Sequence, residues 1–145
     1  MTSNEIISLL PYSKPFLFVD EILTVDEKSI SGTYRFDENS DFYQGHFKDN
    51  PVTPGVILTE TMAQIGLVSL GIYLANANGG KLDAVQIAMT SSEIDFYIPV
   101  LPNETVLVKS TQEYFRFNKL KCYVELFNEK EELVCRGKIA GMMKS

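Results

Sequence analysis

One histidine and one glutamate carry most of the proton chemistry open to this chain. His46 stands in Gly45-His46-Phe47, and Pro54-Gly55, Glu60 and Gln64 follow it. An imidazole with an unperturbed pKa of about 6.5 is largely neutral at pH 7 and can accept a proton. A carboxyl on an otherwise apolar helix loses hydration, so its pKa rises and it can donate a proton near neutrality. Gln64, one turn beyond Glu60, faces the same way and can orient that carboxyl by hydrogen bonding. Gly55 opens the helix, whose first amides lack intrahelical partners and lie at the positive end of the dipole. An oxygen gaining negative charge there, such as a carbonyl becoming an enolate, would be stabilised, and glycine lets it approach the backbone. Each residue also has an ordinary reading: a packed loop histidine, a solvated glutamate, a turn glycine. Spacing alone does not choose.

The elements that must position these groups are legible from periodicity. Pro54 to Ala75 is the longest regular segment, rich in Leu, Ile, Met and Ala and ended by Asn76 to Gly80. It is apolar on nearly all sides, which predicts a buried helix rather than an amphipathic one. Gly66 and Gly71 inside it weaken the helix unless the backbone packs closely against a neighbour. Its length would suit a membrane span, but Glu60 and Gln64 interrupt it and the remaining chain has the character of a soluble protein. Before it, Asp37 to Pro54 loses all periodicity and reads as a long irregular loop holding the only histidine.

Elsewhere, Glu5 to Leu10 before Pro11 reads as a short helix, and Phe16 to Thr24 as an apolar run closed by a turn at Asp26-Glu27-Lys28. Ser29 to Phe36 alternates as a strand with Ile30, Gly32, Tyr34 and Phe36 on one side. Further strands are expected over Ala84–Thr90, Ile94–Tyr97, Thr105–Phe117, Lys119–Phe127 and Leu133–Met142. Long strands joined by short turns imply an antiparallel sheet, and one buried helix with such a sheet implies an α+β fold in which the sheet wraps the helix.

Composition narrows the function classes. With 145 residues, 45% of them hydrophobic, the chain is expected to form a single domain, residues 1–145, without disulfide or metal staples. A formal charge of −6 disfavours nucleic-acid binding, which needs a basic surface. One histidine and two cysteines, Cys122 and Cys135, supply too few ligands in the wrong spacing for a zinc site, so no metal is expected. Met1 to Leu10 has no basic flank or long apolar stretch, which argues against a secretory signal. A reducing cytoplasm and packed, unpaired thiols are the expectation.

The motifs taken together resemble the β-hydroxyacyl-acyl-carrier-protein dehydratases of the FabZ/FabA type. The resemblance runs from Leu10-Pro11, Pro15-Phe16 and Val19-Asp20, through Gly45-His46-Phe47, Pro51-Val52-Thr53-Pro54-Gly55-Val56 and Glu60-Thr61-Met62-Ala63-Gln64, to Asp95-Phe96-Tyr97-Ile98-Pro99. It implies a hot-dog fold, and a homodimer joined edge to edge or a trimer of such dimers. It also implies roles: His46 acts on the α-carbon proton, Glu60 is the acid contributed across the dimer interface, the Gly55 amide binds the thioester carbonyl, and Gln64 supports the acid. Glu60 is FabZ-like, Asn50-Pro51-Val52-Thr53-Pro54 is closer to FabA, and Tyr12-Ser13 and Lys48 depart from the family's usual residues.

The reaction so implied removes water from a (3R)-3-hydroxyacyl thioester to give the trans-2-enoyl thioester, in fatty-acid, polyene or polyketide assembly. The substrate would be carried on the phosphopantetheine of acyl carrier protein, with no other cofactor. Val56, Met62, Phe96 and Tyr97 are the candidates for an apolar acyl channel. Lys14, Lys48, Arg116, Lys119, Lys121, Arg136 and Lys138 are the pool from which an acidic carrier would be met. An acyl thioesterase of the same fold and a non-catalytic acyl-binding module are the alternatives.

Overall fold

The protein is described by a computed structural model covering residues 1–79 and 86–144. A short helix, α1 (Ser3–Ser8), opens the chain behind a capping box in which Thr2 and Glu5 satisfy each other's backbone amides. Ile6 on its inner face is fully buried. Strands β1 (Glu21–Val25) and β2 (Ser29–Arg35) form a hairpin whose turn is held by the Asp26 carboxylate, which accepts from the Lys28 and Ser29 amides at 2.8 Å. Ile30, Gly32 and Phe36 are buried on one side, as the alternation predicts, with Tyr34 half-buried beside them.

Four longer strands complete the sheet: β3 (Gln86–Phe96), β4 (Thr105–Arg116), β5 (Lys119–Phe127) and β6 (Leu133–Lys144). Their order is β1-β2-β4-β5-β6-β3, with every neighbouring pair antiparallel. The expected strands Ala84–Thr90 and Ile94–Tyr97 are one strand in the described residues; Ala84 and Val85 lie outside them. A register shift between Met89 and Ser91 lets β3 carry its polar Thr90-Ser91-Ser92-Glu93 stretch without leaving the sheet. β3 pairs with β6 on one side only, and ten of its eleven residues are exposed or half-exposed.

The sheet wraps the central helix α3 (Gly55–Ala77), which is 23 residues long and 72% buried over its most apolar window. Length and hydropathy suit a membrane crossing, but here those side chains form the protein core, with Met62, Ile65, Leu70 and Ile72 at 0% exposure. Where the sequence reads as a regular segment, the helix is interrupted. A π-helical turn spans Gln64–Val68, and Ser69 bonds the Gln64 carbonyl through both its backbone amide and its hydroxyl, the latter at 2.7 Å. The Ser110 hydroxyl of β4 donates to the Gly66 carbonyl at 2.9 Å. A methyl group added at Gly66 would lie 2.9 Å from the Ser110 Cβ, so its lack of side chain allows the close helix–sheet approach anticipated for it.

The loop from Asp37 to Pro54 is also more ordered than its sequence suggests. It contains a one-turn helix, α2 (Phe42–Gly45), anchored by the buried Tyr43, whose hydroxyl pairs with that of Thr53. Period-based reading fails there because four residues are too few to display a helical repeat. Cys122 and Cys135 are free and buried, and burial pushes their thiols up to about 11 and about 12.

Candidate active site

His46 terminates α2, with its amide bonded to the Phe42 carbonyl at 3.1 Å. Its carbonyl accepts from the Val52 amide at 2.9 Å, and its Nδ1 lies 2.8 Å from the Val52 carbonyl. A carbonyl can only accept, so Nδ1 carries a hydrogen, which is the tautomer that leaves Nε2 as the acceptor nitrogen of the ring. The ring stacks on Phe47 at 3.9 Å. A half-buried imidazole is thus fixed in the tautomer a proton acceptor requires.

Thr53, next after Val52, donates its amide to the Val100 carbonyl at 2.9 Å. This contact ties the loop to the segment following β3 and opens a groove of about 290 Å³ along the start of α3, lined by Thr53, Gly55, Leu58, Phe96, Tyr97 and Ile98. Pro54 caps the helix and accepts from the Ile57 and Leu58 amides, leaving those of Gly55 and Val56 without intrahelical partners. A Cβ at Gly55 would meet the Phe96 ring at 3.3 Å, so glycine is what allows that ring to lie against the helix end. Arg136, from β6, donates to the Tyr97 hydroxyl at 3.2 Å beside this groove.

Glu60 belongs to a different groove. One turn along α3, the fully buried Gln64 has all its polar contacts assigned: its Oε1 accepts from the Phe18 amide at 2.8 Å, and its Nε2 donates to the Phe16 carbonyl and to Glu60 Oε2, each at 3.0 Å. The two backbone partners fix which end of the amide is which, so Glu60 Oε2 must accept and Oε1 is the oxygen left for other chemistry. Burial holds the Glu60 carboxyl above its ordinary range, with the Gln64 hydrogen bond opposing part of that shift. The groove beside it, about 220 Å³, is lined by Tyr12, Phe16, Ala63, Leu67, Ile87 and Met89 among others.

The two grooves sit towards opposite ends of β3. Met89 borders one and Phe96 the other, roughly 20 Å apart along an extended strand. Of the four channel candidates, Phe96 and Tyr97 line the Gly55 groove. Val56 is 76% exposed on the protomer surface, and Met62, one turn after Leu58 on the buried face, packs inside the core with its sulfur 3.5 Å from that of Cys135. Tyr12 and the Val52 carbonyl escape the reading of motifs. Tyr12 is visible in sequence only as a departure from the family pattern, and a backbone acceptor has no sequence signature. Among the described residues, no three His, Cys, Asp or Glu side chains group as metal ligands.

The sequence pattern of the FabA-like domain matches residues 10–138, nearly the whole chain and both grooves. The chain belongs to the FabA-like family. A relative within the reach of this FabA-like chain is the 3-hydroxyacyl-[acyl-carrier-protein] dehydratase FabZ of Caldicellulosiruptor saccharolyticus, 33% identical over 97% of each chain. Among solved structures, the dehydratase heterocomplex ApeI:P of Xenorhabdus doucetiae superposes with a TM-score of 0.81 at 9% identity, covering 100% of this chain and 93% of that one. Thioesterase HI1161 of Haemophilus influenzae superposes at 0.70 and 16% identity, covering 100% and 92%. These two establish the hot-dog fold, a sheet wrapped around one long helix.

Proposed function

We propose that this FabA-like protein is a (3R)-3-hydroxyacyl-[acyl-carrier-protein] dehydratase, a hydro-lyase that gives the trans-2-enoyl thioester in fatty-acid synthesis or a related polyene or polyketide assembly. The observation that carries the reading is the division of polar groups between the grooves: free helix amides and Thr53, next to the Val52 that holds His46, at one end of β3, and a held carboxyl at the other. Neither groove alone has a complete acid–base pair.

A homodimer completes the site. A long, exposed edge strand invites pairing with another edge, and antiparallel pairing of β3 with its twofold mate obeys the symmetry of most dimers. Centred near Ser92, such pairing sets the Phe96 end of one protomer beside the Met89 end of its partner. The His46 half-site then faces Glu60 of the partner subunit. Whether such dimers assemble further, as a trimer, is set by surfaces away from this edge.

In the reaction, His46 Nε2 takes the proton from C2 of the acyl chain. The C–H electrons move towards the thioester carbonyl, whose oxygen is held by the Gly55 amide at the helix start. Collapse of that enolate forms the C2–C3 double bond and expels the 3-hydroxyl, which receives a proton from Oε1 of the partner's Glu60 and leaves as water. Proton return from the imidazolium to the carboxylate restores both groups, so the chemistry calls on no cofactor of the protein's own. The acyl chain follows the apolar walls contributed by Phe96 and Tyr97. The acyl carrier protein supplies its phosphopantetheine arm past Arg136, the member of the basic pool that stands at the groove. A cytoplasmic location is part of this reading.

Hydration of a crotonyl thioester, the reverse reaction, tests this reading. The dehydratase removes the enoyl absorbance without releasing thiol. Thiol release would instead identify a thioesterase, and an unchanged substrate an acyl-binding module.

A further inference from the structure

The groove beside Glu60 contains a second polar side chain that the reaction as written leaves idle. Among the described residues that line it, Tyr12 and Glu60 alone carry polar side-chain atoms; the others are apolar. Tyr12 is half-buried, its ring is 6.4 Å from that of Phe16, and its hydroxyl is not among the buried polar atoms lacking a partner, of which there are none. Among the described residues no hydrogen bond engages that hydroxyl, so it is accessible, on a side chain that lines the groove. Its placement is not incidental to the acid. The Gln64 amide that donates to Glu60 also takes the Phe16 carbonyl and the Phe18 amide, so a single buried group registers the Tyr12–Phe18 segment against the carboxyl.

A phenol so placed is a hydrogen-bond donor that keeps its proton. Burial, reinforced by the neighbouring Glu60 charge, pushes Tyr12 up to about 12. It cannot replace Glu60 as the acid, but it can donate to an oxygen on which negative charge is building. In the dehydration that oxygen is the departing 3-hydroxyl, which must reach Glu60 and hence this groove. The rest of this groove is apolar and offers it no donor besides Glu60 and Tyr12, and an oxygen accepting from both is held in one orientation while its bond to C3 lengthens.

We infer that Tyr12 is a further catalytic residue of the Glu60 half-site, its hydroxyl donating a hydrogen bond to the 3-oxygen of the substrate as that oxygen leaves. The inference rests on the dehydratase reading but can fail separately from it. Tyr12→Phe removes the hydroxyl and keeps the ring, so the melting temperature stays near that of the parent. The kcat for crotonyl-thioester hydration falls about tenfold while KM changes little, the signature of an interaction made in the transition state. A readout independent of turnover is the tyrosine Cζ signal in protein labelled there with carbon-13, assigned by its loss in Tyr12→Phe. It shifts when a non-hydrolysable 3-hydroxyacyl-pantetheine thioether is added and does not shift with the 3-deoxy analogue. Parental kcat in Tyr12→Phe, or a signal that ignores the 3-hydroxyl, overturns the inference while wild-type hydration leaves the dehydratase reading intact. A wild-type protein without hydration activity sinks the dehydratase reading; a hydroxyl-dependent signal then still assigns Tyr12 to 3-hydroxyl recognition, and its absence overturns both.

Discussion

Glu60 is the residue whose titration is most open to measurement. Its carboxyl is held above the ordinary value by burial, against a smaller opposing effect of the Gln64 hydrogen bond. Because the folded state raises this pKa, its contribution to stability is complete below the ordinary value of 4.5 and is lost as pH rises through the folded one. In the proposed reaction activity follows the same sign: with Glu60 as the acid, the rate of dehydration is expected to decline as pH rises through the pKa of Glu60 in the substrate complex. In Gln64→Leu the donor that favours the carboxylate is gone, and this alkaline limb moves to higher pH. The same substitution strands the Phe16 carbonyl and Phe18 amide, so it also lowers the melting temperature by roughly 5–10 °C. A pH–rate profile and a thermal melt of the one variant check both statements. His46, Gly55, Glu60 and Gln64 stand out as candidates from residue type and order. What their types could not disclose was the proton on Nδ1, because that depends on a carbonyl, Val52, which every residue possesses.

At the scale of the element, α3 shows how far pattern carries and where it stops. Its burial followed from apolar residues on all sides, and the cost of Gly66 implied a close neighbour. The π turn at Gln64–Val68 did not follow, since it is selected by two serine hydroxyls, one of them from β4 and 44 residues away. Gly66→Ala tests the closeness directly: the added methyl meets Ser110 Cβ at 2.9 Å, and the fold should lose about 1–3 kcal/mol in denaturant unfolding. Helix propensity alone predicts the opposite sign, a gain of about 1 kcal/mol. β3 gives a second lesson. Its polar centre, Ser91 to Glu93, reads as a break because exposed residues on both faces erase the alternation on which strand assignment depends.

At the scale of the whole molecule, the separation of the grooves along β3 becomes a statement about assembly. In the proposed dimer, the loop that holds His46, tied through Thr53 to the segment after β3, and the Glu60 groove lie towards opposite ends of the edge strand, and twofold pairing of that strand brings them together twice. Sequence order puts His46 and Glu60 fourteen positions apart in one chain, and it is the family resemblance that implies an acid contributed by the partner. Intersubunit complementation tests this most directly. His46→Ala and Glu60→Gln are each prepared as folded homodimers with hydration activity reduced at least a hundredfold, then unfolded together and refolded as a mixture. Random pairing makes half of the dimers mixed, and each mixed dimer has one intact site, so the account predicts recovery of about a quarter of wild-type activity. A mixture that forms mixed dimers yet stays as inactive as its parents would contradict it.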